Sequence, residues 1–395
     1  MTTSDPVVIT GMARTPMGAF QGELRSFSGP QLGAAAVRAA VERAGLRPDQ
    51  VEAVLMGCVL PAGLGQAPAR QAALGAGLPT SAECTTVNKM CGSGMKAAML
   101  AHDLLRAGSN EIVVAGGLES MSNAPYLLPK ARAGYRMGHQ QALDHMFVDG
   151  LEDAYDKGRL MGSFAEDCAA RYSFTRVAQD RFAITSLERA QAANRNGWFA
   201  WEITPLAVKS GKEQRFIEMD EQPFKADLER IPNLKPAFRE GGTLTAANSS
   251  SISDGAAALV MMRRSTAERL GVRPLAVVIA HATHAQEPGW FTTAPVGAIA
   301  KLLEKTGWKA ADVDLYEINE AFAVVTMAAM AEHALPHERV NIHGGACALG
   351  HPIGASGARI MVTLAGALRR TGSRRGVASL CIGGGEATAV AVEML

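Results

Sequence analysis

Several features that mark other classes of protein are absent from this sequence. Charge of one sign is absent, because 39 basic residues balance 38 acidic ones to a net charge of +1, so nothing predicts a nucleic-acid partner. No apolar run approaches the roughly 18 residues that a membrane-spanning helix needs. Residues 1–18 lack the basic-then-apolar build of a secretion signal. We therefore expect a cytoplasmic protein with no nucleic-acid or membrane partner.

Paired cysteines and aromatic residues are scarce as well. The six cysteines are scattered without a CxxC pair, which argues against a disulfide scaffold and a structural zinc site. No other cluster indicates a metal, so no bound metal is predicted. Aromatic residues make up only 5%, whereas glycine occurs 41 times, which is typical of tightly packed α/β layers. A chain of 395 residues is longer than a single hydrophobic core usually supports, so we expect two or three packed units.

Alternating strand and helix patterns occur in two separate parts of the chain. Residues 1–120 alternate short apolar runs with Ala-rich helical segments, and residues 275–395 repeat this pattern. The alternation predicts a mostly parallel sheet covered by helices. The GSG run at residues 92–94, followed by an apolar helix, is echoed by ASG at residues 355–357. These echoes indicate a duplicated α/β unit.

The middle of the chain has a different character. Residues 121–251 hold more charge, most of the Tyr and Trp residues and several Pro-punctuated turns. This composition indicates a segment inserted into a sheet domain, after which residues 252–274 return to the first half. Long loops in compact proteins are usually functional, so the insertion is a candidate ligand-binding region.

The first segment with a chemical signature is NKMCGSGM at residues 88–95. Cys91 opens a predicted helix, where the helix dipole and free N–H groups favour its thiolate. Gly92 and Gly94 leave room beside the backbone for a bulky acyl group. Cys91 is therefore a candidate nucleophile; the alternative is a buried structural cysteine.

A glycine-rich segment near the C-terminus places a histidine before another predicted helix. In GGACALGHPIGASG, residues 344–357, His351 stands between Gly350 and Pro352, which restrict its orientation. A neutral imidazole there is suited to deprotonate a thiol. The alternatives are a turn histidine bonded to its own loop and a phosphate-binding loop, although the segment matches neither GxGxxG nor GxxxxGK[ST].

Two further segments place polar groups at predicted strand ends. CIGGG at residues 381–385 indicates a glycine turn between two strands, whose N–H groups are suited to stabilise an oxyanion near Cys381. The alternative is a hairpin with an inert cysteine. NEAFA at residues 319–323 places Asn319 where an amide can hold a water molecule or a thioester carbonyl. The alternative is an asparagine helix cap with a glutamate in the first turn.

These four segments resemble the thiolase family in identity and in order. The likeness covers essentially the whole chain, and GHPxGxSG, CxGGG, NEAF and the nucleophile together are improbable by chance. It implies a thiolase fold, an α/β arrangement of two duplicated halves in five layers plus an inserted loop domain that binds coenzyme A. The corresponding division is residues 1–120 with 252–274, then 121–251, then 275–395.

The resemblance also implies a role for each candidate residue. Cys91 becomes acylated, and His351 activates it. Cys381 is the general acid and base that moves protons at the α-carbon or to the leaving group. Asn319 holds a water molecule and forms one oxyanion hole with His351. The backbone N–H groups of Cys91 and Gly383 form the other. A cysteine suits this work because a thiolate exchanges acyl groups with thioesters reversibly.

For coenzyme A, the resemblance implies a tunnel beside the nucleophile. Ser250 matches the family serine that contacts the pantetheine; its alternative is a solvated loop. The other implied positions, for which ordinary packing is the alternative, are Ala237, Phe238, Ala321, Phe322, Met161 and Leu160. Coenzyme A is expected as substrate and product, with no permanently bound cofactor.

Some positions depart from the family pattern. Short-chain members usually have His-Met-Gly where this chain has LMG at residues 160–162. That histidine lies near the acyl group, so Leu160 weakens the expectation of strict selectivity for acetoacetyl groups. The family arginine near the adenine aligns close to Pro223, which leaves Lys225 or Arg230 as substitutes.

The activity implied is that of an acetyl-CoA C-acetyltransferase, which reversibly condenses two acetyl-CoA to acetoacetyl-CoA plus CoA. One alternative is a degradative 3-ketoacyl-CoA thiolase of broader chain length, which Leu160 favours. Another, from a different class, is a non-catalytic acyl-CoA-binding protein, which the intact set of candidate residues disfavours. The family habit predicts a homodimer or homotetramer.

Overall fold

The apolar runs of the sequence form strands, and the Ala-rich segments between them form helices. A computed structural model describes residues 5–210 and 213–395. In chain order the strands are β1 (Val7–Arg14), β2 (Gly18–Ala19), β3 (Ala53–Gly57), β4 (Glu83–Val87), β5 (Ile112–Ser120), β6 (Tyr126–Leu127), β7 (Leu143–Asp144), β8 (Leu206–Ser210), β9 (Glu213–Ile217), β10 (Ser253–Arg263), β11 (Ala276–Ala285), β12 (Leu315–Ile318), β13 (Arg375–Ile382) and β14 (Glu386–Met394).

The helices begin and end with recognisable local signals. In chain order they are α1 (Gly29–Arg43), α2 (Pro68–Gly75), α3 (Ser93–Ala107), α4 (Met161–Tyr172), α5 (Arg176–Arg195), α6 (Arg264–Leu270), α7 (Ala294–Thr306), α8 (Ala323–His333), α9 (Ala346–Leu349) and α10 (Ser356–Thr371). Ser28 and Gln31 form a capping box at the start of α1, which satisfies N–H groups that the helix leaves free. Left-handed glycines, such as Gly108 after α3, end several helices.

The main sheet is mixed, which differs from the mostly parallel sheet that the alternating pattern predicted. Its hydrogen-bonded order is β12-β13-β14-β11-β1-β10-β5-β3-β4, with β2 beside β10. The pairs β3–β4, β3–β5 and β12–β13 are parallel, and the others are antiparallel. The reason is clearest at β13 and β14, because a tight turn joins them and only antiparallel pairing is then possible.

The two ends of this sheet repeat one arrangement. The first half has the order β4-β3-β5-β10-β1. In the second half β12, β13, β14 and β11 take the places of β3, β5, β10 and β1 with the same strand directions. Val340 bridges Tyr316 of β12 in parallel, at the place of β4. The halves also meet through a short antiparallel contact between β1 and β11.

Helices and sheet halves alternate in five layers. One apolar core joins α1 and α2 to the first half of the sheet. A second core surrounds α3 and α10, which contact each other between the two halves. A third core joins α7 and α8 to the second half. The middle layer matters for function, because both central helices begin near candidate catalytic residues.

The segment between β5 and β10 lies outside the main sheet and packs against the layered core. It contributes α4, α5 and the hairpins β6–β7 and β8–β9. Helix α4 packs against α8, which brings the insertion to the side of the second half. Among the helices of the described residues, none combines the length and apolar character needed to cross a membrane. The predicted domain boundaries stay a prediction.

Candidate active site

Cys91 lies on a strained turn between β4 and α3. Met90, just before it, has a φ of +47°, a left-handed conformation that side chains with a Cβ rarely adopt. Ser93 holds the turn together, because its hydroxyl donates to the Met90 carbonyl at 2.6 Å and accepts from the Lys89 N–H at 2.9 Å. Strain at a candidate nucleophile, maintained by specific hydrogen bonds, is typical of a functional position.

The Cys91 thiol rests in its neutral form, contrary to the thiolate expected from its place before a helix. Burial raises the pKa of Cys91 to about 11, although the backbone N–H groups of Gly383 and of Cys91 itself donate toward its sulfur and act in the opposite direction. The negative charge of Glu119 adds to the rise. Desolvation therefore outweighs the helix terminus, and Cys91 needs a base to become a nucleophile.

His351 is the candidate base. Its Nδ1 lies 2.6 Å from the Ser356 hydroxyl oxygen, and that hydroxyl donates its single proton to the Pro352 carbonyl at 2.9 Å. The hydroxyl must therefore accept from Nδ1–H, which leaves the Nε2 lone pair free. Burial, helped by the positive charge of Arg359, lowers the pKa of His351 to about 3. The imidazole is thus neutral at physiological pH.

Asn319 lies beside this base, as the resemblance implied. Its Nδ2 is 3.5 Å from His351 Nε2, and its Oδ1 is 3.5 Å from Nη2 of the buried Arg359. Asn319 does not cap a helix, because α8 begins only at Ala323. The adjacent Glu320 has a structural role: its buried carboxylate accepts hydrogen bonds from Asn341 at 2.8 Å and from the Ser186 hydroxyl at 2.7 Å.

Cys381 and Gly383 lie at the end of β13, facing Cys91. Cys381 is buried, and burial followed by the proximity of Cys91 raises its pKa well above that of a free thiol. The turn to β14 uses φ values of +92° and +90° at Gly384 and Gly385, which only glycine adopts readily. This turn directs the Gly383 N–H at the Cys91 sulfur. Cys381 therefore lies near the candidate nucleophile, and its role in proton transfer stays a prediction.

The residues implied to bind coenzyme A also come together. The Ser250 N–H donates to the Ala321 carbonyl at 3.0 Å, and the rings of Phe238 and Phe322 pack edge to face with centroids 5.9 Å apart. Phe238, Phe322, Ala321 and Met161 share one apolar cluster with Cys381.

The remaining two positions border this cluster. Leu160 directly precedes α4, whose first residue is Met161. The Ala237 N–H donates to the Leu244 carbonyl at 2.8 Å, and Leu244 belongs to the same cluster. An apolar wall thus extends from the insertion to the thiol of Cys381.

Three residues that support the site were missed in the sequence. Glu119, fully buried, accepts N–H groups of Val59 at 2.9 Å and of Gly354 at 2.9 Å, so it ties the His351 loop to the first half. Burial raises its pKa to about 7. Ser356 and Arg359 orient His351 and Asn319. The sequence held one signal for these residues, which is that Glu119 is acidic in an otherwise apolar strand.

Comparisons with known proteins agree with this geometry. The family model "Thiolase, N-terminal domain" matches residues 7–265, and "Thiolase, C-terminal domain" matches residues 272–394. The chain is 50% identical over 393 residues to "Acetyl-CoA acetyltransferase 2" of Arabidopsis thaliana, covering 98% of this chain and 97% of the relative. It is 48% identical over 389 residues to "Acetyl-CoA acetyltransferase" of Schizosaccharomyces pombe, covering 98% of each.

Two solved structures share the fold. The Acat5 thiolase of Ascaris suum, crystallised in complex with coenzyme A, has a TM-score of 0.94 at 40% identity, covering 99% of this chain and 100% of that one. The acetyl-CoA acetyltransferase of Bacillus anthracis has a TM-score of 0.96 at 39% identity, covering 99% of each chain.

Acyl transfer between thiols is the chemistry that a partly buried cysteine, a neutral imidazole and a second thiol support, and the chain is an acyltransferase. It belongs to the thiolase family, as the full-length matches show. The predicted α/β fold, with two duplicated halves and an inserted segment, is confirmed by the similarity to solved thiolases. The roles of the individual site residues stay predictions.

Proposed function

We propose that this thiolase is an acetyl-CoA C-acetyltransferase that condenses two acetyl-CoA to acetoacetyl-CoA plus CoA, reversibly, through acetylated Cys91. One observation carries the proposal: the thiols of Cys91 and Cys381 lie close enough to raise the pKa of Cys381, while the backbone N–H groups of Gly383 and of Cys91 act to lower the pKa of Cys91. The neutral His351 is the candidate base. Two relatives that match nearly the whole chain are acetyl-CoA acetyltransferases by name, which supports the proposal.

In the first half-reaction, His351 Nε2 takes the proton of Cys91 while the sulfur attacks the thioester carbon. The N–H groups of Cys91 and Gly383 stabilise the oxyanion that forms. The bond between carbon and the CoA sulfur then breaks, and Cys381 donates its proton to the departing CoA thiolate. The products are free CoA, acetyl-Cys91, protonated His351 and the thiolate of Cys381.

In the second half-reaction, the Cys381 thiolate removes a proton from the α-carbon of a second acetyl-CoA. Protonated His351 and a water molecule on Asn319 stabilise the enolate. The enolate attacks acetyl-Cys91, the new carbon–carbon bond forms, and the Cys91 thiolate leaves. His351 returns its proton to Cys91, so all groups regain their starting protonation. The reverse sequence is thiolysis.

Coenzyme A enters along the apolar wall next to this site. Ser250 and the cluster of Phe238, Phe322 and Ala321 are placed to contact the pantetheine arm, since they connect to Cys381 in one packed group. Leu160 and Met161 border the acyl group at the start of α4. No permanently bound cofactor is needed for the steps above, and coenzyme A acts as substrate and product.

The first test measures thiolysis of acetoacetyl-CoA and of a ten-carbon 3-ketoacyl-CoA, each with free CoA. We expect faster turnover of the four-carbon substrate. Faster turnover of the longer substrate would move the assignment to a degradative 3-ketoacyl-CoA thiolase, which Leu160 favours. No turnover of either would contradict the enzyme and support a carrier of acyl-CoA.

A second test addresses the intermediate directly. Intact-protein mass spectrometry after incubation with acetyl-CoA should show one added acetyl group per chain, and peptide mapping should place it on Cys91. Cys91→Ser should remove this adduct and reduce turnover by about a thousandfold or more. The matched control is Cys347→Ser, at a cysteine whose thiol donates to the Glu320 carbonyl at 3.6 Å. An unchanged adduct in Cys91→Ser would contradict the assignment.

We further propose that the chain forms a homodimer or homotetramer located in the cytoplasm. Support for self-association comes from β4, which ends the main sheet and pairs only with β3 among the described residues. Exposed apolar side chains at Tyr126, Leu128 and Met137 add surface suited to burial. Light scattering of the purified protein tests the mass, and a monomer at micromolar concentration would contradict the assembly.

A further inference from the structure

A cluster of possible metal ligands lies outside the catalytic site, on the side of the central layer. His102 and Asp103 are on α3, and His281 is on β11. Asp103 Oδ1 lies 2.9 Å from His281 Nε2 and 3.2 Å from His102 Nδ1. The two imidazole rings stand edge to face with centroids 5.0 Å apart. In the described part of the chain, this is the group of His, Cys, Asp or Glu side chains that converges closely enough to hold a metal ion.

The distances in this cluster suit a tetrahedral metal ion. The three ligand atoms all lie within 4.8 Å of one another. A zinc ion binds nitrogen and carboxylate oxygen at about 2.0–2.2 Å, so its ligand atoms are about 3.3 Å apart. The two measured separations, 2.9 and 3.2 Å, are close to that spacing. We propose that His102, Asp103 and His281 bind one zinc ion per chain, with a water molecule as the fourth ligand.

The site offers two imidazole nitrogens and one carboxylate oxygen, a donor set that suits zinc.

Metal binding requires only a local change in proton positions. Without a metal, Nδ1 of His102 and Nε2 of His281 are both within hydrogen-bond distance of one oxygen of Asp103, which can accept from both. With zinc present, each of these nitrogens coordinates the ion, and its proton moves to the other ring nitrogen. The Lys305 ammonium donates to the His281 carbonyl at 3.2 Å, so it binds the backbone and not the imidazole.

The position of the site indicates a structural role. Helix α3 belongs to the first half and begins just after Cys91, whereas β11 belongs to the second half. His102 lies nine positions after Ser93, the first residue of α3, which corresponds to about 14 Å along the helix. The ion is therefore too distant to touch the substrate. It links the two halves of the molecule and holds the helix that carries the nucleophile.

Zinc binding to the purified protein tests this proposal. The thiol of Cys91 is first alkylated with iodoacetamide, because active-site thiols also bind zinc, and the protein is stripped with EDTA and carries no histidine tag. Equilibrium dialysis then compares wild type, His281→Gln and Asp103→Asn. The matched control is His139→Gln, which removes an exposed histidine elsewhere. We expect about one zinc per chain in wild type and in the control, and at least a tenfold loss of affinity in the other two.

Thermal unfolding supplies an independent readout. Zinc at about a hundred times the wild-type Kd should raise the Tm of wild type and of His139→Gln by about 3 °C, and that of His281→Gln by at most about half as much. Asp103→Asn keeps the side-chain volume and carries the same expectation should His281→Gln fold poorly. Equal zinc binding by wild type and His281→Gln, or no binding by wild type at about 100 μM free zinc, would overturn the proposal. Neither result affects the acyltransferase assignment, which is tested separately by turnover.

Discussion

Cys91 and His351 are both neutral at rest, because burial raises the pKa of the thiol to about 11 and lowers the pKa of the imidazole to about 3. Water already favours the neutral forms, because a free thiol has a higher pKa than a free imidazole, and the apolar surroundings strengthen that preference. A negative charge therefore develops only when the substrate places its carbonyl oxygen at the backbone N–H groups of Cys91 and Gly383. Such preorganised donors stabilise the transition state more than the resting enzyme.

Ser356→Ala tests how His351 is oriented. Ser356 accepts from His351 Nδ1–H at 2.6 Å, so its loss leaves a buried donor without a partner and frees the other tautomer. We expect kcat for thiolysis to fall about tenfold to a hundredfold with little change in KM, because Ser356 is buried away from the coenzyme A wall. Steady-state kinetics measure both values. Thr185→Ala, at a helix hydroxyl bonded to its own turn, is the control, and wild-type kcat in Ser356→Ala would contradict the role.

His343 carries a prediction about acid stability. It is fully buried, its Nε2 accepts from Arg370 Nε at 2.7 Å, and burial lowers its pKa to about 3. The unfolded chain binds a proton below a pKa of about 6.5, whereas the folded chain does not, so stability is lost as pH falls from about 6.5 to about 3. At pH 5 this loss amounts to about 2 kcal/mol per histidine.

His343→Gln should remove the part of the acid-induced loss of stability that arises from protonation of His343. Glutamine keeps an acceptor for Arg370 and does not titrate. The free energy of unfolding is measured with urea at pH 7 and at pH 5. Its decrease between the two pH values should be about 2 kcal/mol smaller in the variant than in wild type. His139→Gln, at an exposed position, should retain the wild-type difference. An identical pH dependence in His343→Gln would show that His343 is not the titrating group.

At the scale of elements, the crossing of α3 and α10 determines the site. The two helices come close to each other at Gly94 and Gly357, because glycine has no side chain. A Cβ on Gly357 would lie 2.4 Å from the Met95 nitrogen, and one on Gly94 would lie 2.9 Å from the Ala358 nitrogen. Because these obstacles are backbone atoms, only a shift of one helix makes room. The echoed GSG and ASG runs are thus the contact point of the two halves.

Gly357→Ala should therefore impair both stability and activity. Separation of the helices costs about 1–3 kcal/mol in the free energy of unfolding, and it moves the start of α10 away from the Cys91 turn. We expect at least a tenfold lower kcat/KM at a temperature where the variant is fully folded. Urea unfolding and thiolysis measure the two effects. Gly289→Ala, where the nearest atom to a new Cβ is 3.6 Å away in Phe164, should change neither by much. Wild-type activity in Gly357→Ala would contradict this account.

At the scale of the whole molecule, a buried charge network holds the insertion to the layered core. Arg14 of β1 is fully buried, with its Nε 2.5 Å from Glu202 Oε1 and its Nη1 2.6 Å from Asp220 Oδ1. The Thr363 hydroxyl of α10 donates to the same Glu202 oxygen at 3.1 Å. Arg14 thus joins the first half, the insertion and the central layer. A buried network of this kind is strongly destabilised when one partner is removed.

Arg14→Met measures that connection. The substitution leaves two carboxylates buried without a cation, so the free energy of unfolding should fall by about 3–5 kcal/mol. Arg47→Met is the matched control, because Arg47 pairs with Asp49 on the surface and such pairs contribute about 0–1 kcal/mol. Urea denaturation at neutral pH compares the two variants. A similar small loss in both would show that the buried network does not hold the insertion in place.

The motifs in the sequence were sufficient to predict the family, the α/β class and the candidate nucleophile. Nucleophile, base and glycine turns are local signals, because the residue types and their neighbours along the chain carry the chemistry. The duplicated pattern was also visible, since the echoed runs recur with similar spacing. By contrast, the predicted mostly parallel sheet was wrong, because strand direction depends on how β10 and β14 return to the sheet.

Protonation states and long-range partners were decided only by the tertiary structure. The helix start at Cys91 predicted a thiolate, yet the folded chain buries the sulfur and keeps it protonated. Glu119 and Gly354 are 235 residues apart, and Asp103 and His281 are 178 residues apart, so no spacing in the sequence reveals either pair. Burial and contact between distant segments exist only after the chain has folded, whereas the identity of the reacting groups is already present in the order of the residues.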